Sequence, residues 1–332
     1  MNIYLIYLSN NYGGACQALL AFKKFLDSHE IKNKVICPQG PLLIPDIEIS
    51  NKKYKSIFKV LFFILFKNIF YKGNKNIFFL NTIANAPLSI FKNTILWIHE
   101  TTLDGRPNLF SFLKFFTRNF SRESYFVNSS MRSLFTKSKL FEIPYEYLEN
   151  IVLDNSMHRS NKFKACMIVR PLDNKGIDDF IRLSSRSSED FIILTQPTLF
   201  HLYCHKNGLN IPSNLAIEDF NDIEVRKRIL LSSSFHLNLS KLPETVGLNT
   251  IEAMSYGCIC ISTDNAGSRL ILDEKFIIKN PLNYDLIDSV KSLMSSYYLE
   301  DLNTLNQRQL DKVFCKNSKF YKGTFLEDEL NK

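Results

Sequence analysis

PETVGLNTIEAMSYGC (243–258) sets two carboxylates, Glu244 and Glu252, eight positions apart with Gly247 between them. An apolar run, SFHLNLS (234–240), precedes the pair and a second, CICIS (258–262), follows it. The order reads as strand, turn, helix, strand. The first strand delivers Glu244 at its carboxyl end, and Gly247 permits a tight turn. A helix starting near Asn249 or Thr250 then carries Glu252 in its first turn. Backbone N–H groups around Gly247, Leu248 and Asn249 suit an anion, and the carboxylates suit hydroxyls. Such a combination fits a sugar nucleotide. Two plainer readings compete: Asn249 and Glu252 also spell a capping box, and Glu244 could be a solvated loop residue.

Outward from this segment, strand-like runs alternate with helical patterns, which argues for parallel α/β layers. MNIYLIYLS (1–9), KVIC (34–37), NIFFLN (76–81), NTILWIHE (93–100) and SYFVNSS (124–130) read as strands, the last passing into a helix from about Met131. Gly13-Gly14 turns the first of them into a helix whose Ala18, Leu19, Phe22, Phe25 and Leu26 recur at helical spacing. Residues 143–162 are polar and irregular. A second series follows: KACMIVR (164–170), a helix from Gly176, FIILT (191–195), the two runs flanking the glutamates, and FIIK (276–279). Leu286, Ile287, Val290, Leu293 and Met294 mark one more amphipathic helix. The expected fold is α/β, two Rossmann-like doubly wound parallel-sheet domains facing across a cleft. Its expected boundaries are 1–150, a linker at 151–163, 164–310, and a helical segment at 311–332 returning to the first domain.

Composition narrows the class. A chain of 332 residues has room for two cores, and 45% hydrophobic content suits a soluble globular protein. The start, MNIYLIYLS, lacks a basic n-region, and the longest apolar run, Val60 to Phe66, is far shorter than the ~20 residues of a membrane span. A cytoplasmic protein is expected. Seven cysteines, an odd number without ligand spacing, read as buried reduced thiols. His201 and His205 are four apart, but no adjacent carboxylate completes a metal site. No Asp-x-Asp motif stands at a strand end, so no divalent metal is expected.

The net charge of +8 is concentrated. Residues 52–75 hold seven lysines and no carboxylate, interleaved with Phe58, Phe62, Phe63, Phe66, Phe70 and Tyr71. A second patch, RPNLFSFLKFFTRNFSR (106–122), places Arg106, Lys114, Arg118 and Arg122 among five phenylalanines. In a helix over 55–70, Lys55, Lys59 and Lys67 share a face with Phe63 and Phe70. Such mixing suits an anionic membrane surface, where lysines meet headgroups and rings enter the acyl boundary. It equally suits a core helix with solvated lysines. Nothing resembles a nucleic-acid-binding signature, so no nucleic acid partner is expected.

These pieces in this order resemble the family 4 retaining glycosyltransferases of the GT-B fold. Glu244 and Glu252 match that family's E-x7-E element, followed by its EAM and by Gly257. VRPLDNKGIDD (169–179) looks like its arginine and lysine pair, Arg170 and Lys175, with Gly176. The Gly13-Gly14 turn and His99, closing a central strand, complete the set. The resemblance spans nearly the whole chain, although 40–75 and 198–232 show little of it. Val169 stands where a glycine commonly precedes the arginine, and Thr245-Val246 replaces Gly-Phe. In TDNAGSRLIL (263–272) the family's Gly-Gly-x-Pro-Glu is reduced, with the loss of a carboxylate.

The resemblance implies a sugar transfer from a nucleotide-sugar donor, a UDP- or GDP-sugar, with retention and without metal. Arg170 and Lys175 then stabilise the leaving diphosphate, Glu252 accepts from the ribose, Glu244 holds donor-sugar hydroxyls, and His99 meets the donor sugar or acceptor. Gly13, Gly14, Gly247, Leu248 and Asn249 supply backbone contacts. A planar guanidinium fork and a compact ammonium suit a pyrophosphate whose charge grows as the bond breaks. The resemblance implies a glycan acceptor met in the N-terminal half, and the basic-aromatic patches there suggest a lipid-linked one at the inner membrane face, as in bacterial surface polysaccharide or lipooligosaccharide synthesis. A nucleotide-sugar epimerase or phosphorylase on the same architecture, and a non-catalytic membrane-docked partner, are the alternatives.

Overall fold

The computed structural model describes residues 1–8, 14–40, 43–49, 53–70, 76–91, 93–99, 107–121, 123–135, 137–148, 163–242, 244–279, 286–297, 302–317, 320–321 and 324–330. Gly13, Arg106, Arg122 and residues 151–162 of the expected linker at 151–163 lie outside them; Phe163 opens a strand. The chain divides into two compact units, residues 1–149 with 317–332, and residues 150–316.

The first unit is built on seven parallel strands: β1 (Asn2–Ile6), β2 (Asn33–Cys37), β3 (Ile47–Glu48), β4 (Asn76–Asn81), β5 (Thr94–Ile98), β6 (Ser124–Phe126) and β7 (Lys139–Leu140). Their order is β3-β2-β1-β4-β5-β6-β7, so the chain winds one way from β1 and then back the other way from β4. The switch point lies between β1 and β4. Helix α1 (Gly14–Ser28) buries Ala18, Leu19, Phe22, Phe25 and Leu26, the stripe its periodicity predicts. Phe22 meets Phe79, Trp97 and Phe141 at centroid distances of 4.8, 5.7 and 5.2 Å. The buried indole N–H of Trp97 donates to the Phe141 carbonyl at 2.8 Å, so this aromatic core carries no orphaned tryptophan donor. The C-terminal tail adds Phe320 against Phe25 and Phe325 against Phe79.

Strand alternation sends Tyr4 and Phe78 to the other face of the sheet. There Phe63 of α2 (Lys53–Phe70) meets Tyr4 at 5.1 Å and Phe78 at 6.2 Å. On the same face Thr94 donates to Ser89 of a 3₁₀ helix, Ile83–Ile90, on which α3 (Pro107–Phe120) packs. Lys67 and Phe63 share a face of α2, as their spacing predicts, and that face turns to the sheet. Phe63 turns to the sheet and Lys67 lies over its ring and that of Tyr4, while the solvent-facing rings are Phe58, Phe62 and Phe66. Packing against Tyr4 and Phe78 sets this rotation; Lys55 and Phe70 have side chains outside the described set. The helix expected from Met131 is a five-residue 3₁₀ helix, Ser129–Ser133. Three serines in that stretch compete for backbone partners and cut the helix short.

The second unit carries six parallel strands: β8 (Phe163–Ile168), β9 (Phe191–Thr195), β10 (Leu215–Asp219), β11 (Ser233–Asn238), β12 (Ile259–Thr263) and β13 (Ile277–Ile278). Their order is β10-β9-β8-β11-β12-β13, with the switch point between β8 and β11. Helices α4 (Ile177–Ser185), α5 (Pro197–Lys206), α6 (Ile223–Leu231), α7 (Leu248–Ser255), α8 (Ala266–Ile271), α9 (Leu286–Tyr297) and α10 (Leu302–Asn317) connect or cover them. The strand β10 and helices α5 and α6 fall in a stretch, 197–232, where no strand or helix was legible beforehand. Helix α10 is fastened by buried amides. Gln309 donates to and accepts from the backbone of Cys260, and Asn306 donates to the Met254 and Cys258 carbonyls. Cys16, Cys37, Cys166, Cys204, Cys258 and Cys260 are buried and form no disulfide.

Candidate functional site

In the second unit the switch point gathers the charged residues. Strand β8 ends at Ile168 and leaves Arg170 exposed just beyond it. The following turn uses two left-handed positions, Asn174 and Gly176. Gly176 has φ +77°, and a Cβ there would stand 2.3 Å from the Leu239 carbonyl oxygen, so only glycine lets the two loops close. The Lys241 N–H donates to the Asn174 carbonyl at 2.8 Å and ties the same loops together.

That closure sets Lys175 beside Glu244. The ammonium donates to Glu244 Oε1 at 3.0 Å, and Asn238, at the end of β11, donates through Nδ2 to Oε2 at 2.8 Å. Both charged side chains are about one-fifth exposed, at 23% and 20%. Gly247, with φ +74°, precedes α7 and makes no side-chain cap. A Cβ on it would lie 3.8 Å from Glu244 Oε2, so the carboxylate sits next to the helix start. The first N–H groups of α7, from Leu248 and Asn249, have no intrahelical acceptor. Asn249 is not the cap; its amide reaches the Ile168 carbonyl across the switch point at 3.4 Å. Gly267, where the loop departs from the family pattern, packs 3.0 Å from the Val246 backbone by the same measure. The helix there, α8, opens on a capping box of Asn265 and Ser268.

Glu252 is placed differently from the expectation of a first-turn residue. Helix α7 begins at Leu248, so Glu252 is its fifth residue, and it is buried. Arg226 of α6 grips it through Nε and Nη2 at 2.6–2.7 Å, and Arg226 also donates to the Phe220 carbonyl. Arg226 carries no signal in the sequence, where it lies in a polar stretch with no distinguishing pattern. Asn238 does carry one that went unread, since an asparagine ending an otherwise apolar strand is a legible signal.

At the first unit's switch point the described side chains are uncharged. Gly14 opens α1; Gly13 lies outside the described residues. His99 follows β5, is buried, and donates from Nε2 to Asn81 Oδ1 at 2.7 Å. Asn81 at the end of β4 donates its own amide to the Ala15 carbonyl at 2.8 Å, which fixes which of its ends faces the imidazole. Burial pushes the His99 pKa down to about 3, so the ring is neutral with its proton on Nε2. Next to it Thr82 holds φ +80° and ψ 149°, a region that residues with a Cβ rarely occupy. Its N–H donates to the Trp97 carbonyl, so strand pairing enforces the conformation. Among the described residues no group of three or more His, Cys, Asp or Glu side chains could hold a metal ion.

No protein-family model and no curated protein matches the sequence. Solved structures do match. A glycosyltransferase from Rickettsia africae ESF-5 is 16% identical with a TM-score of 0.68, covering 100% of this chain and 98% of its own. Sucrose-phosphate synthase from Thermosynechococcus elongatus is 13% identical with a TM-score of 0.66, covering 94% of each chain. Anabaena HepE, solved in complex with UDP and glucose, is 13% identical with a TM-score of 0.63, covering 95% of this chain and 94% of its own. Two parallel-sheet α/β units of seven and six strands, matched over 94–95% of the chain by such structures, give this chain the GT-B fold of glycosyltransferases.

Proposed function

We propose that the chain is a nucleotide-sugar-dependent glycosyltransferase that acts with retention and without a divalent cation. The observation that carries this reading is the Lys175–Glu244–Asn238 cluster beside the start of α7, with Arg170 exposed at the end of β8. Carboxyl ends of strands at a switch point are where ligands of doubly wound sheets bind. The ammonium now on Glu244 moves to the arriving diphosphate, where Arg170 and the Leu248 and Asn249 N–H groups join it. Glu244, still oriented by Asn238, is left to accept from donor-sugar hydroxyls. Glu252 keeps its Arg226 fork and turns a remaining lone pair to the ribose. His99, neutral, is the candidate in the first unit for a sugar or acceptor hydroxyl.

As the donor bond breaks, negative charge grows on the diphosphate, and cations already fixed there stabilise it more than the ground state. The leaving phosphate takes the acceptor's proton, so no side-chain base is assigned. HepE binds UDP and glucose; a UDP-sugar is the first donor to try here, with a GDP-sugar second. The acceptor in this reading is a glycan or lipid-linked glycan of a bacterial surface polysaccharide or lipooligosaccharide, met at the inner face of the membrane.

A radiolabelled panel of UDP- and GDP-sugars, with lipid extracts as acceptor, tests the proposal. Label should pass to the acceptor with release of nucleotide, and proton NMR of the product should give the donor's anomeric configuration. Glu244→Ala should lower transfer by about 10²–10³ without unfolding the protein. Interconversion of the sugar without nucleotide release points to an epimerase instead, and no turnover of any donor leaves a non-catalytic role.

A further inference from the structure

Helices α2 and α3 of the first unit expose more aromatic surface than a free-standing soluble domain normally presents. On α2, Phe58, Phe62 and Phe66 follow one another at four-residue spacing, and Phe58 and Phe62 are each 71% exposed. On α3, Phe112, Phe115 and Phe120 are each more than half exposed. The inner faces are ordinary core: Val60 and Ile64 on α2, Phe110, Leu113 and Thr117 on α3. Both helices lie on the sheet face opposite α1, flanking the 3₁₀ helix Ile83–Ile90, so their outer stripes look away from the same side of the sheet.

Charge identifies the occupant. Neither helix contains an aspartate or glutamate, while Lys59 and Arg118 are exposed among the rings and Lys114 is half-buried. A protein interface of this size is normally depleted of lysine at its core. A second copy of the same surface would set cation against cation across a two-fold axis. A bilayer rich in anionic headgroups satisfies both components, since rings enter the acyl boundary while cations remain among phosphates. Among the described residues no helix is long and apolar enough to cross a membrane, so contact would be from one side.

We propose that the outer faces of α2 and α3 form a peripheral docking surface for an anionic lipid bilayer. It deepens the lipid-linked-acceptor reading above by naming the surface that brings the chain to such an acceptor. The test is co-sedimentation of the full chain with vesicles of equal parts phosphatidylglycerol and phosphatidylcholine, against phosphatidylcholine alone. Partition should favour the anionic vesicles more than tenfold at low salt and lose that preference at high salt. Phe62→Ser with Phe115→Ser should weaken partition more than tenfold, because these rings lose their place in the acyl boundary. Lys59→Ala and Arg118→Ala should each weaken it about fivefold. None of these variants should change the thermal unfolding midpoint. Equal partition to both vesicles, no partition, or phenylalanine variants that bind like wild type each overturn the proposal. So does a stable homodimer in solution that the same phenylalanines hold together. UDP titration of the same protein reports separately on the donor site, so a failure there leaves the vesicle result standing.

Discussion

The two units have the same topology at their switch points and, among the described residues, different chemistry. Between β8 and β11 the chain assembles an ammonium, two carboxylates and two guanidinium groups, tied by Asn238 and by the Arg226–Glu252 fork. Between β1 and β4 it assembles a neutral imidazole, an amide and a constrained threonine. The first arrangement suits a ligand whose charge is large and grows during reaction. The second offers directional hydrogen bonds suited to neutral hydroxyls.

The comparison breaks most visibly at Arg226. Arg226→Met leaves Glu252 buried without its partner and should cost about 3–5 kcal/mol in urea unfolding. Adding Glu252→Leu should recover most of that stability while donor binding stays impaired. If the double variant bound donor like wild type, Glu252 would be purely structural.

Protons sharpen the contrast next. His236 on β11 is buried, and among the described residues neither ring nitrogen has a hydrogen-bond partner. Burial pushes its pKa from 6.5 down to about 4. The unfolded chain binds this proton first, so the contribution to stability is full above pH 6.5 and is lost as pH falls toward 4. The loss is on the order of 3 kcal/mol. Urea titrations across that window should show a shallower pH dependence for His236→Leu than for wild type. His99 adds a similar loss from the first unit, extending to about pH 3.

A smaller effect belongs to the loop closure behind Lys175. Gly176→Ala puts a Cβ against the Leu239 carbonyl at a left-handed φ, and should destabilise by about 1 kcal/mol or more. Donor affinity should fall with it, because Lys175 is the neighbouring residue. A stable variant with wild-type affinity would show that the loop relaxes without moving the ammonium.

What the sequence revealed divides along physical lines. The parallel α/β architecture was legible because buried strands such as NIFFLN and FIILT are continuous apolar runs between turn residues. The proximity of Lys175 to Glu244 was foreshadowed by motif order, the two lying 69 positions apart in sequence and 3.0 Å apart in space. The Arg226–Glu252 fork was not legible. Nothing in IEVRKRILL distinguishes a buried arginine from its solvated neighbours Lys227 and Arg228 until α6 is packed against the sheet. The rotation of α2 was left open for a related reason. With phenylalanine on nearly every side, only contact with Tyr4 and Phe78 decides which rings face inward.

Titration calorimetry with UDP, comparing wild type with Lys175→Ala, tests the central claim most directly. The account predicts one UDP bound per chain, and an affinity about tenfold to a hundredfold weaker in the variant, as the loss of a charge-assisted hydrogen bond to phosphate requires. Unchanged affinity on removal of Lys175, or no binding of any nucleoside diphosphate by the folded wild type, would contradict it.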